Sequence, residues 1–348
     1  MGAEAFSIRP FVGTDLDVAV EFFRRVYAPG HIVGEPGHLC WQFLEHPGAD
    51  GARRSLLLFQ GSSVKGHLGI IPQRTKVGNE IMLGGWCANL VTDTEIRDRG
   101  AGAFLLREAA GRFDLLLTTG YNAQAEPVLK GLGWVMLPVL NRRILVLRSE
   151  RLGIEAAAGL SSPDTVFKIE KIDRFKEDWD EAWQTLRQRF PCTTERDSAY
   201  LNWRFIDHPR LNYVVLSAAN GNQLHGYGVL RLERSPELCG ARIVDLVASD
   251  ESAPAILGGL IDQACAAGAD FVDFFCSGSW YAQTFEEAGF VSADRQPFAG
   301  VPTFLFPVDR RRSDITFAIW KRGGGLGDPQ DWYVVKADGD KDRAPGRL

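Results

Sequence analysis

The chain contains no run approaching the roughly 18 apolar residues needed to span a bilayer, no C-x-x-C pair, no H-x-x-x-H pair and no excess of basic residues. Each absence excludes a class. Without a long apolar run, insertion in a membrane is not expected. The start, Met1 to Pro10, has no basic region followed by an apolar run, and Phe6 stands where a myristoylation signal needs Ser or Thr, so a soluble cytoplasmic protein is expected. The cysteines Cys40, Cys87, Cys192, Cys239, Cys265 and Cys276 are scattered through apolar runs. They read as buried thiols of a reducing compartment, neither zinc ligands nor a disulfide framework, and no metal is expected. A net charge of −5 offers phosphate backbones no general attraction, which argues against nucleic acid as a partner.

What is present is an ordinary globular composition, 45% hydrophobic and 24% charged, in 348 residues, enough for two domains with separate cores. The chain also repeats itself. Leu39-Cys40-Trp41-Gln42-Phe43-Leu44-Glu45-His46-Pro47 is matched position by position by Leu201-Asn202-Trp203-Arg204-Phe205-Ile206-Asp207-His208-Pro209. The likeness continues in order: Gly66–Ile70 answers Gly226–Leu230, Asn89-Leu90-Val91 answers Asp245-Leu246-Val247, and Leu132-Gly133-Trp134 answers Ala288-Gly289-Phe290. Periodicity gives each half the order strand, two helices, three strands, helix, strand, helix, strand. The first helix is expected from Thr14, whose hydroxyl can cap it, to Tyr27. The expected divisions are 1–152, 164–322 and a C-terminal extension 323–348, with Gly153–Pro163 as linker, Trp332–Val335 as an added edge strand and Asp338–Leu348 as a loose charged tail.

Arg97-Asp98-Arg99-Gly100-Ala101-Gly102 reads R-x-x-G-x-G between a β-rich run and an amphipathic helix. Such a loop gathers backbone N–H groups at a helix N-terminus, where the dipole adds partial positive charge for a pyrophosphate, and glycine lets the phosphate approach the main chain. With its flanking elements, this loop resembles the phosphate loop of the GNAT superfamily of coenzyme A-dependent N-acyltransferases. The resemblance covers nearly the whole chain. It implies an α/β (α+β) fold of two tandem GNAT-like domains, each a mixed, mostly antiparallel sheet flanked by helices, with acyl-coenzyme A as co-substrate. It implies further that Leu90, Val91, Arg97, Arg99, Gly100, Ala101, Gly102, Ala103 and Asn122 hold the coenzyme.

The departures are specific. The family's frequent tyrosine acid is Leu129 in the first half and Phe285 in the second, and the strand from Gly84 to Val91 carries no carboxylate base. In the second half Ser249–Pro254 replaces the phosphate loop, with no glycine and two acids, so coenzyme A is expected in the first half only. His31 and Asn89 are the catalytic candidates: His31 lies between the first two helices and Asn89 is polar on a strand that should be buried. Glu35, His38 and Tyr121 are candidate acceptor contacts, and Trp280 with Tyr281 is a candidate sugar or base platform. Trp41, Trp203, His46 and His208 read as structural.

The resemblance implies direct attack of an amine on the thioester, with a small-molecule acceptor such as a nucleotide-linked amino sugar. Alternatives are an aminoacyl-tRNA-dependent transferase of the peptidoglycan type and a non-catalytic binding protein. A homo-oligomer is compatible with the sequence.

Overall fold

The repeating strand and helix pattern is realised, in a computed structural model that describes residues 5–48, 51, 54–154, 165–306, 308–311 and 313–344, as a mixed α/β fold. Most of the expected linker falls outside the described residues. The first stretch runs β1 (Phe6–Pro10), α1 (Leu16–Val26), α2 (Pro36–Leu39), β2 (Leu56–Gln60), β3 (Ser63–Val77), β4 (Glu80–Thr92), α3 (Ala101–Ala110), β5 (Leu115–Thr119), α4 (Glu126–Gly131) and β6 (Val135–Val146). After a short α5 (Ser149–Leu152), the second runs β7 (Lys168–Lys171), α6 (Glu177–Leu186), β8 (Cys192–Thr194), α7 (Ser198–Leu201), β9 (Tyr213–Asn220), β10 (Gln223–Arg234), β11 (Cys239–Ala248), α8 (Ala253–Ala266), β12 (Phe271–Cys276) and α9 (Ala282–Glu287). Three two-residue strands follow, β13 (Val291–Ser292), β14 (Phe304–Leu305) and β15 (Val308–Asp309), then β16 (Ile315–Lys321) and β17 (Trp332–Tyr333). No helix among the described residues is long and apolar enough to cross a membrane.

Two compact units form: Met1–Pro138 with Ile315–Gly327 and Asp338–Leu348, and Val139–Asp314 with Asp328–Ala337. In the first, the sheet order is β1-β2-β3-β4-β5-β16, antiparallel except for the β4–β5 pair. In the second it is β7-β9-β10-β11-β12-β6, antiparallel except for β11–β12. Each sheet is thus completed by a strand from the other part of the sequence, β16 in the first unit and most of β6 in the second. The two Trp-x-Phe motifs form matching π-helical turns, Cys40–Leu44 and Asn202–Ile206, with Trp41 and Trp203 both buried.

Helix α1 begins at Leu16, because Asp15 already accepts from the Val12 N–H and pairs with Arg9 at 2.6 Å, so Thr14 does not cap it. Its Ala19, Val20, Phe22 and Phe23 are buried, each large side chain contributing roughly 1.5–3 kcal/mol by leaving water. Phe11, Phe23 and Phe43 ring His67, with Phe23 4.8 Å away edge-on. His46 and His208 are both buried, and each imidazole accepts backbone N–H groups, from Gly48 for His46 and from Arg210 and Leu211 for His208.

His67 shapes the sheet. The β3–β4 register slips between Gly69↔Ala88 and His67↔Val91, leaving Asn89 and Leu90 opposite Leu68, with Asn89 at φ 49°. This is a β-bulge. The His67 Nδ1–H donates to the Asn89 carbonyl at 3.1 Å and holds it in place.

Burial pushes the His67 pKa down to about 4, against the Asn89 carbonyl, which raises it. A histidine whose folded pKa lies below its unfolded value of about 6.5 contributes full stability above that value, which is lost as pH falls towards 4. Between pH 7 and 5 this one group is expected to cost about 2 kcal/mol. Urea titrations at both pH values should show His67→Gln losing about that much less than the parent; an equal loss would contradict the buried neutral imidazole.

Candidate functional site

The site begins where β4 and β5 separate. They pair in parallel through Gly84↔Leu115, Gly85↔Leu116 and Trp86↔Leu117, and the Thr118 hydroxyl donates to the Cys87 carbonyl at 3.2 Å. Beyond that point the bulge turns β4 aside and β5 ends, leaving the inner edge of β4 without a strand partner. A cavity of about 620 Å³ opens there, lined by Cys87, Ala88, Leu90 and Val91 from β4, Thr119 from β5 and Gly120 just after it, and Gly100, Gly102 and Ala103 at α3.

On the wall of that cavity Gly100 adopts φ 74°, a left-handed conformation that suits glycine, and α3 starts at Ala101. The first intrahelical bond is Phe104 N–H to Gly100 O at 3.0 Å, so the N–H groups of Ala101, Gly102 and Ala103 have no acceptor within the helix. A Cβ on Gly100 would meet nothing within 4 Å, and one on Gly102 only Leu90 at 3.8 Å, so an anion can reach the main chain. The preceding turn is held by Asp93, which accepts from Glu95 N–H and pairs with Lys65 and Arg25 at 3.4 Å.

Leu90, Val91, Arg97, Gly100, Gly102, Ala103, Tyr121 and Asn122 all lie on the cavity wall. Asn122 Oδ1 also accepts from Ala125 N–H at 2.9 Å, in the turn that precedes α4. Ala101 packs its side chain into the core and Arg99 is exposed. Asn89 is the bulge residue, its Oδ1 accepting from Arg343 at 3.4 Å. His31 stacks on Tyr27, a wall residue, at 4.5 Å, and its pKa is lowered first by burial and then by Arg343. Glu35 is the N-cap residue of α2, and His38 is buried against Trp41. Leu129, in the place of the family tyrosine, is a buried wall residue. Burial raises the Cys87 thiol to about 12, so it is a neutral lining group and not a nucleophile.

In the second unit the equivalent strand parting is filled by the chain's own side chains. Tyr333 donates to the Leu246 carbonyl, while the Tyr281 hydroxyl accepts from Ala248 N–H at 2.9 Å and donates to its carbonyl at 3.0 Å. Trp280 donates to Trp332 O at 3.2 Å and packs on Phe190. Trp280 and Tyr281 are half-buried, and their polar atoms are committed to the backbone of that unit. Asp245 accepts from buried Arg196 at 2.9 Å and from Tyr227, which stands where the first unit has His67, at 2.6 Å. Trp332–Val335, expected as an edge strand, is fully buried because its aromatic rings complete this cluster.

Of the charged segment read as a loose tail, residues 345–348 lie outside the described residues and 338–344 are folded. Asp338, Asp340, Asp342 and Ala344 are buried in the first unit. Gly339 lies against Trp86 and Thr119, Lys341 Nζ donates to the Gly120 carbonyl at 3.2 Å, Arg343 reaches Asn89, and Asp340 lines the cavity. Thr119 and Asp340 line the cavity but carry no local sequence signal, since only the folded chain brings residues near 120 and 340 together.

The sequence matches no protein-family model and no curated protein. By structure, it is similar to a GCN5-related N-acetyltransferase from Anabaena variabilis, with TM-score 0.63, 13% identity, and coverage of 90% of this chain and 72% of that one. The fold is that of the GCN5-related N-acetyltransferases. A second such protein, from Kribbella flavida, gives TM-score 0.61 at 15% identity over 91% of this chain and 71% of its own. Saccharomyces cerevisiae N-myristoyltransferase with bound myristoyl-CoA gives 0.55 at 11% identity over 92% and 80%.

A Cβ added to Gly120, which has φ 64°, would sit 1.8 Å from Lys341 Cε. Gly120→Ala is therefore expected to push the flexible end of Lys341 aside and, through the left-handed backbone, to cost roughly 1–3 kcal/mol. Urea titration would report the loss and faster tryptic cleavage after Lys341 the displaced side chain; unchanged stability and proteolysis would contradict this packing.

Proposed function

We propose that the chain is an acyl-coenzyme A-dependent N-acyltransferase whose first unit alone binds the coenzyme. The observation that carries the reading is a single cavity joining an open helix N-terminus to a pair of parted parallel strands. The residues fit the group: three N–H groups without helical acceptors suit a pyrophosphate, and the apolar wall and bared β4 edge suit a pantetheine arm. Bound acyl-coenzyme A would supply the activated acyl carbon. The chain would orient it, and the β4 N–H groups bared beyond Cys87 are placed to stabilise negative charge on the acyl oxygen. The second unit lacks glycines at the corresponding place, and Tyr333 and Tyr281 bond the backbone there, which supports one site per chain.

For the acceptor, the sequence resemblance favours the amino group of a nucleotide-linked amino sugar. The non-catalytic alternative is favoured by the absence of the family's tyrosine and strand-four carboxylate, and it predicts coenzyme binding without transfer.

Calorimetry with acetyl-coenzyme A should give one site per chain. Gly102→Asp places a carboxylate among the α3 N–H groups at a helical position with room for it, so it should weaken binding at least about 100-fold while leaving thermal stability unchanged or raised. Retained affinity, or two equivalent sites, would overturn the assignment. Chromatography of reactions with UDP-linked amino sugars then decides between enzyme and binding protein.

A further inference from the structure

Among the described residues that line the cavity only one carries a carboxylate, Asp340, and only one a permanent positive charge, Arg97. Arg97 belongs to the phosphate loop. Asp340 is held where β4 and β5 part, because its chain neighbours are fixed there on both sides. Gly339 lies against Trp86, the last β4 residue paired with β5, and against Thr119 at the end of β5, while Lys341 Nζ donates to the Gly120 carbonyl at 3.2 Å.

For a buried acid, Asp340 is poorly paired. The residue is 7% exposed, and its one ion pair among the described residues joins Oδ2 to Arg343 at 3.5 Å. Arg343 is shared, since it also donates to the Asn89 side chain at 3.4 Å. Oδ1 accepts no hydrogen bond among the described residues. A carboxylate withdrawn from water needs a cation or donors on both oxygens, so this wall of the cavity keeps one acceptor position for a ligand. The other groups at this end compete little for a cation: burial raises the Tyr27 phenol to about 12, and burial and then Arg343 lower the His31 pKa, so both are uncharged near neutral pH.

We propose that Asp340 binds the acceptor, and that it selects amines that are alkylammonium ions in solution over arylamines and hydroxyl compounds. The inference rests on the acyltransferase reading and narrows its acceptor. The amino group of a sugar, largely charged near neutral pH, fits; an arylamine, uncharged there, does not. Docked on Oδ1, the ammonium passes a proton to water before its nitrogen can attack, so Asp340 acts on binding and selection. Two opposite charges thus divide the cavity, Arg97 towards the phosphates and Asp340 towards the amine.

Two coenzyme A analogues of equal length test this on the full chain without turnover. S-(2-aminoethyl)-coenzyme A carries an ammonium two carbons from the sulfur, and S-propyl-coenzyme A carries a methyl in its place. Calorimetry should show the parent binding the aminoethyl analogue about 10-fold or more tighter, as a charge-assisted hydrogen bond implies. Asp340→Asn, which keeps the shape and loses the charge, should erase that preference and leave S-propyl-coenzyme A affinity within about 2-fold. Asp340→Glu should retain part of it. A merely structural role would move both affinities together. Equal affinities in the parent, or a preference that survives Asp340→Asn, would overturn the proposal, and the parent comparison decides even where the asparagine variant fails to fold. Failure of the parent to bind S-propyl-coenzyme A and coenzyme A would instead overturn the acyltransferase reading.

Discussion

The parting of β4 from β5 after three residue pairs is the constraint on which the first unit depends. Parallel strands hydrogen-bonded along their whole length would leave no edge for a ligand and no volume between them. The bulge at Asn89 and Leu90 prevents that by spending two residues of β4 against one of β3. A non-glycine residue at φ 49° is strained, and it persists because His67, locked among three phenylalanines, holds its carbonyl. Core packing and site geometry are therefore one problem in this protein.

The second unit shows the opposite solution to the same constraint. Its parallel pair, β11 and β12, also separates, but Tyr333, Tyr281 and the buried Arg196–Asp245 pair take up the exposed backbone groups and the space. Removing one partner of such a pair would leave a buried charge, typically a loss of 3–5 kcal/mol. The same architecture thus leaves an open cavity in one place and a filled core in the other, decided by a few side chains.

How much of this the sequence discloses follows the range of the interactions. The Arg97–Gly102 loop is legible because a turn and a helix N-terminus are set by neighbours in the chain, and the Trp-x-Phe repeat is legible because identical local packing needs identical residues. The strand exchange is not: apolar alternation in β6 and β16 marks a strand but does not say which sheet it joins. The 338–344 segment is misread for a related reason. Asp338, Asp340 and Asp342 alternate like a solvated acidic tail, and only their burial in the first unit reveals a structural segment. Trp280 and Tyr281 look like a binding platform by composition, yet both polar handles are already committed to backbone in the second unit.

The central claim is that the opening between β4 and β5 holds the coenzyme thioester, and the most direct measurement is a crystal structure of the full chain with coenzyme A. The account predicts one molecule per chain, its pyrophosphate on the N–H groups from Ala101 to Ala103 and its sulfur beside the end of β5 near Thr119. Coenzyme A bound elsewhere, or in the second unit as well, would contradict it.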